Sequence, residues 1–326
     1  MLESIGIISF GLILLVVGGE SLLRGAVGLA TLMRLTPAVI GLTVVAAGTS
    51  VPELAVSGIA SWEGRTALAV TNVVGSNIFN ITVILGLCAL FRPLQITGNT
   101  IRLEYPVLAG VTVLALAVAR DGGIDRLDAT ILVAVYVAFT AYTVRLVRKQ
   151  VTPVEAEELR TEVQELNPAS DGPRPWVSIG LVGAGVLLLA GGAQFTITGA
   201  VEIARLLGWS ERIIGLTIVS AGTGLPEVVA SLVSSVRGRT DVAIGNVIGS
   251  NLFNILGILG ISAFVAPLAV EPMIISNDNW WMLGVTLLLF PVMFSGFRVS
   301  RWEGALLIAT YAVYLGLLLT TGVGNQ

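Results

Sequence analysis

Apolar residues along the 326-residue chain do not alternate or keep to one helical stripe. They run in long blocks, with the polar residues gathered between them. A helix needs about 20 apolar residues to cross the hydrocarbon core of a bilayer. Ten blocks qualify, at roughly 4–33, 37–61, 66–91, 101–119, 127–147, 176–206, 212–236, 240–267, 279–297 and 302–322. The pattern predicts an all-α polytopic membrane protein with ten transmembrane helices. One sizeable polar stretch interrupts it. Segment 150–175 holds Glu155, Glu157, Glu158, Glu162 and Glu165, then a Pro/Asp/Gly run ending at Trp176. It is too short for a folded domain and reads as a solvated linker. The chain divides into a five-helix unit over 1–149, the linker 150–175, and a second five-helix unit over 176–326.

Composition narrows the class. Hydrophobic residues make up 55% of the chain and charged residues 12%, against about 25% charged in soluble domains. Mean hydropathy is +0.90. This excludes a soluble enzyme and a disordered chain, and a net charge of −3 offers nucleic acid no basic footprint. The first residues lack a basic n-region, so the first block reads as a retained span. With no histidine, His-based zinc sites and Ser-His-Asp triads are excluded. No intramembrane protease motif occurs either, so neither an enzyme nor a cofactor is expected. Cys88, the single cysteine, reads as a small buried hydrophobe. The expected surroundings are the lipid bilayer, with no obligatory protein partner.

Basic residues give an orientation. With the N-terminus outside, 13 of them fall at cytoplasmic ends: Arg24, Arg34, Arg92, Arg102, Arg145, Arg148, Lys149, Arg160, Arg174, Arg237, Arg239, Arg298 and Arg301. Five fall outside: Arg65, Arg120, Arg126, Arg205 and Arg212. The positive-inside rule then places both termini outside a cell (inner or plasma) membrane and the central loop in the cytoplasm.

The chain also repeats itself. Ile40–Leu90 aligns with Ile214–Phe264 at an offset of 174 without gaps, with 28 identities in 51 positions. Gly-Leu-Thr-Val-Val-Ala-Ala-Gly-Thr-Ser-Val-Pro-Glu at 41–53 matches Gly-Leu-Thr-Ile-Val-Ser-Ala-Gly-Thr-Gly-Leu-Pro-Glu at 215–227. Gly-Ser-Asn-Ile-Phe-Asn at 75–80 matches Gly-Ser-Asn-Leu-Phe-Asn at 249–254. Five spans per unit is an odd number, so the second unit is expected to be inverted in the membrane. Inverted repeats with interrupted helices in matching places mark a secondary transporter with its site at the midplane.

Glu53 and Glu227 fall near the middle of the second and seventh spans. An acid at that depth costs about 2.5–3.5 kcal/mol on insertion scales, and the matching helices offer no basic partner. Pro52 and Pro226 precede them, removing an N–H and clashing with the carbonyl four residues back. This frees carbonyls near Ala47 and Ala221. Thr49, Ser50 and Thr223 add hydroxyls. In the next span of each unit, Ser76 and Asn80 share a helix face, as do Ser250 and Asn254. Carboxylate, amide, hydroxyl and carbonyl oxygens together form a hard-cation set that suits Ca²⁺ and Na⁺ and lacks the soft ligands of transition metals. Asn72, Asn77, Asn246 and Asn251 also repeat, and fit interhelical hydrogen bonds at least as well as ion ligation. Glu20 and Arg24 read as a local i,i+4 ion pair. Trp280 and Trp281 read as interfacial anchors.

These motifs resemble the two alpha repeats of the cation/calcium exchanger superfamily, and within it the prokaryotic Na⁺/Ca²⁺ exchangers. The resemblance implies an inner cluster of eight helices with four ion sites. The first and sixth helices would be long, tilted and able to slide. It assigns Glu53 and Glu227 to a central calcium site. Thr49, Ser50, Thr223, Ser76 and Ser250, with the carbonyls of Ala47 and Ala221, complete the calcium and sodium sites, and Asn80 and Asn254 fill the remaining polar positions. Two departures stand out. Asn occupies both of these last positions, where the family often has one Asp, so potassium dependence is not expected. Gly224 replaces the serine matching Ser50, which removes one sodium ligand. The expected function is antiport of Ca²⁺ against Na⁺, near 3 Na⁺ per Ca²⁺ and electrogenic. The alternative is H⁺/Ca²⁺ antiport, whose family members typically carry Glu-His where this chain has Gly75-Ser76 and Gly249-Ser250.

Overall fold

The computed structural model describes residues 2–150, 174–208 and 220–323. Most of the expected linker, and residues 212–219 of the expected seventh span, lie outside them. Helices α1 (Leu2–Met33), α2 (Pro37–Thr49), α3 (Val51–Trp62), α4 (Thr66–Phe91), α5 (Thr100–Val118) and α6 (Arg126–Arg148) make up the first part. Helices α7 (Pro175–Leu206), α8 (Ser220–Thr223), α9 (Leu225–Val236), α10 (Thr240–Val265), α11 (Asn279–Phe294) and α12 (Arg301–Val323) make up the second. Among the described residues six helices are long and apolar enough to cross a membrane: α1, α4, α5, α6, α7 and α10. Counting the bent pair α2–α3 as one span gives seven.

The second span, expected over 37–61 with its backbone interrupted at Pro52, breaks by 47° between α2 and α3. Ser50 sits at the break with φ −82° and ψ 11°, and Pro52 lies in the first turn of α3. Its missing N–H costs nothing there, because the first turn has no intrahelical acceptor for it. Gly224, with φ −80° and ψ 0°, and Pro226 repeat this arrangement ahead of α9. Gly64 and Gly238 follow the C-termini of α3 and α9 with φ +79° and +89°, a backbone that glycine adopts without strain. Wider π-helical turns also recur at the repeat offset. They lie at Asn80–Ile84 in α4 and Phe253–Ile258 in α10, then at Thr100–Glu104 and Ile274–Asp278.

Helices α4 and α10 form the centre. The apolar window of α10 is 89% buried and that of α4 is 67%, against 28% for α1 and α7. The last two pack on each other along small residues. A Cβ on Gly11 would meet the Gly192 carbonyl at 2.8 Å, one on Gly18 the Gly185 carbonyl at 3.1 Å, and one on Gly25 the Ser178 carbonyl at 2.8 Å. One on Gly199 would meet the Ser4 carbonyl at 2.7 Å. As the position on α1 rises by seven, its partner on α7 falls by seven, so the two helices run antiparallel. The seven-residue period keeps the small face on the partner over the whole contact. Each helix carries the same Ser-then-three-Gly spacing at the 174 offset. Two short strand pairs also join the halves: β1 (Leu94–Gln95) with β4 (Arg298–Val299), and β2 (Gly123–Ile124) with β3 (Leu268–Ala269).

Candidate functional site

The break after α2 and the one after α8 each begin a helix with an acid in its first turn, Glu53 in α3 and Glu227 in α9. Both carboxylates are buried, at 2% exposure, and lie within electrostatic reach of each other. The Ser50 hydroxyl donates to Glu227 Oε1 at 2.8 Å, a contact from the first repeat to the second. Neither acid pairs with a basic side chain among the described residues, where Glu20, Glu63 and Asp241 do. Two nearby carboxylates in a low-dielectric interior repel and lack their hydration. A bound cation would relieve both costs.

Further candidate oxygens from the sequence lie on α4 and α10, which pack against α3 and α9. Asn80, Asn254 and Ser250 are buried, and Ser76 is half-buried on α4. Among the described residues, Glu53 Oε2, Glu227 Oε2, Ser250 Oγ and Asn254 Oδ1 are buried oxygens without a hydrogen-bond partner. Buried polar atoms in folded proteins are nearly always satisfied, so four unmatched oxygens among the sequence-derived ligands fit a cation substrate. Thr49 is buried at the end of α2 and donates to Asn246 Oδ1 over a long 3.4 Å. Thr223 ends α8. Ala47 and Ala221 lie one turn before the breaks, the first half-buried and the second exposed.

The geometry gives the repeated asparagines structural duties. Asn72 donates to Ser57 Oγ at 3.0 Å, and Asn246 to Ser231 Oγ at 2.8 Å. Each serine follows its glutamate by one turn, so each asparagine braces the acid-bearing helix. Ser57 and Ser231 were missed from sequence, although they are identical across the repeat and four residues beyond each acid. Asn77 and Asn251 bond across the halves, with Asn254 Nδ2 donating to Asn77 Oδ1 at 3.1 Å and Asn80 Nδ2 to Asn251 Oδ1 at 3.2 Å. Glu20 does pair with Arg24, but its other oxygen also takes Arg237 Nε at 2.9 Å, tying α1 to the end of α9. Trp280 is exposed, whereas Trp281 packs against Tyr314 with ring centroids 5.4 Å apart.

The profile of a family described as sodium/calcium exchanger protein matches residues 3–145 and 177–320. A putative antiporter, CaxA of Alkalimonas amylolytica, is 37% identical over 316 residues, covering 95% of this chain and 97% of its own. Sodium/calcium exchanger MaX1 of Methanosarcina acetivorans is 31% identical over 343 residues, with 96% and 97% covered. The solved structure of the sodium-calcium exchanger NCX_Mj soaked with 10 mM Na⁺ and zero Ca²⁺ superposes with a TM-score of 0.81 at 28% identity. It covers 96% of this chain and 98% of that one.

Proposed function

Because the chain belongs to the sodium/calcium exchanger family, whose members are transporters rather than enzymes, we propose that it is a membrane antiporter of Ca²⁺ against Na⁺. Glu53 and Glu227 form the central calcium site. Thr49, Ser50, Thr223, Ser76, Ser250, Asn80, Asn254 and the carbonyls of Ala47 and Ala221 serve calcium and the sodium ions. The observation that carries this reading is the buried pair of carboxylates that have no basic partner among the described residues, together with two further partnerless oxygens, Ser250 Oγ and Asn254 Oδ1, on the helix packed against theirs. The paired halves are inverted five-helix units. The antiparallel register of the equivalent helices α1 and α7 supports that arrangement.

The mechanism follows from charge. Two carboxylates set the site at −2, one Ca²⁺ brings it to zero, and three Na⁺ bring it to +1. The empty site leaves two carboxylates uncompensated at midplane depth, which penalises its occlusion and holds the carrier to exchange rather than leak. The test is ⁴⁵Ca²⁺ uptake into proteoliposomes loaded with Na⁺, compared with vesicles given only a pH gradient. Uptake driven by internal Na⁺ is the expected result; uptake driven only by the pH gradient assigns proton coupling instead. Glu53→Gln and Glu227→Gln are each expected to reduce uptake to the level of protein-free liposomes while inserting normally. Near wild-type flux in either variant removes that residue from the site.

A further inference from the structure

The geometry points to Asn77 and Asn251 as positioning residues, each orienting the ion-binding amide of the opposite repeat. The inference rests on the reading above of Asn80 and Asn254 as ion ligands. A side-chain amide has one face that accepts and one that donates, and near a cation only the oxygen is useful. Nothing in Asn80 or Asn254 alone selects which face turns inward. Asn77 Oδ1 accepts the Nδ2–H of Asn254 at 3.1 Å, and Asn251 Oδ1 accepts the Nδ2–H of Asn80 at 3.2 Å. The two bonds are the same contact with the halves exchanged, since both residues shift by the repeat offset.

With its NH₂ held by Asn77, Asn254 leaves Oδ1 as a buried acceptor without a partner among the described residues. That is the state expected of a ligand oxygen. Asn77 is itself fixed, since its Nδ2 donates to the Asn251 carbonyl at 3.4 Å and approaches Met282 Sδ at 3.7 Å. Its amide therefore cannot turn without losing contacts on both faces. Both positioning residues are almost fully buried, at 1% and 0% exposure, so water cannot take their place. The arrangement also accounts for the neutral amide at 254: an aspartate there has no hydrogen to donate, and Asn77, held on both faces, cannot turn its own NH₂ towards it without losing those contacts.

The test is a crossed set of double-mutant cycles on the purified full-length protein, read as equilibrium ⁴⁵Ca²⁺ binding, with melting temperature measured alongside. Asn77→Leu is expected to weaken Ca²⁺ binding roughly tenfold, the scale of a hydrogen bond lost next to an ion. It should add nothing further in an Asn254→Ala background, yet keep its full effect in an Asn80→Ala background. Asn251→Leu should show the opposite pairing. A purely structural role lowers the melting temperature without this crossed coupling. If Asn254→Ala weakens binding and Asn77→Leu adds to it independently, the positioning role is overturned and the ligand reading stands. If Asn254→Ala and Asn80→Ala both bind Ca²⁺ as wild type does, the ligand reading fails and the positioning role fails with it. Should Asn77→Leu not fold, Asn77→Ser removes the same acceptor by shortening the side chain, and the same cycle applies.

Discussion

At the scale of single residues, the telling departure from internal symmetry is Gly224. Sequence comparison identifies a missing hydroxyl opposite Ser50, and the structure adds what sits beside it. A Cβ built on Gly224 lies 3.2 Å from one ring carbon of Phe79 and 3.4 Å from another. Phe79 comes from the other repeat and is itself in edge contact with Tyr311, ring centroids 5.5 Å apart. A serine at 224 therefore needs this ring to yield by a few tenths of an ångström. The expected outcome is that Gly224→Ser alone changes sodium dependence little. With Phe79→Leu added, half-saturating Na⁺ for calcium exchange should fall several-fold, on the order of 1 kcal/mol for a restored ligand. An unchanged sodium dependence in the double variant shows that position 224 does not face the ions. The acids, the asparagines and the hydroxyls were legible because polar residues at bilayer depth are costly and here occur twice at one offset. The Phe79–Gly224 contact was not legible, because a repeat reveals which residues are equivalent but not which ones meet.

Among the elements, six or seven of the ten expected spans stand as helices long and apolar enough to cross a membrane among the described residues, and their interruptions were only partly readable. Prolines at 52 and 226 signalled interrupted backbone, but not its form, which is a stop at Ser50 or Gly224 followed by a new helix with proline in its first turn. The π-helical turns left no sequence signal that hydrophobic periodicity could detect. The α1–α7 seam was present as glycines spaced by seven, but its meaning depends on the partner helix. Two glycines of α7 make the energetic point. A Cβ on Gly185 would lie 2.6 Å from the Leu22 nitrogen and 2.8 Å from its Cα, whereas one on Gly183 meets nothing within 4 Å. Backbone cannot rotate away as a side chain can. Gly185→Ala is therefore expected to destabilise the protein by about 1–3 kcal/mol, the usual cost of overpacking. Gly183→Ala should be neutral, or stabilising by up to about 1 kcal/mol from helix propensity. Thermal unfolding in detergent of the two variants beside wild type is the check. Equal melting temperatures contradict the close approach of the two helices.

For the whole molecule, the halves exchange contacts in pairs: β1 with β4 and β2 with β3, Asn254 to Asn77 and Asn80 to Asn251, and the α1–α7 seam with itself. A site made by both halves at once has its charge set by the pair. The proposed stoichiometry follows from that charge rather than from any single ligand. In Na⁺-loaded vesicles diluted into ⁴⁵Ca²⁺, a 3:1 cycle brings two charges in and takes three out, so one positive charge leaves per turnover. Each elementary charge crossing about 100 mV is worth about 2.3 kcal/mol. An inside-positive potential of that size should raise the limiting calcium accumulation roughly forty-fold, and an inside-negative potential should lower it by the same factor. Potentials of both signs can be imposed with a potassium gradient and valinomycin, with accumulation read at the plateau. The Gly224 departure makes the result informative in either direction. A chain that binds only two sodium ions returns the site to zero charge, as one Ca²⁺ does, and its accumulation ignores the potential. A plateau indifferent to both signs therefore refutes the third sodium while leaving the calcium site intact. A roughly forty-fold change in each direction establishes that three positive charges are exchanged for one Ca²⁺ despite the missing hydroxyl.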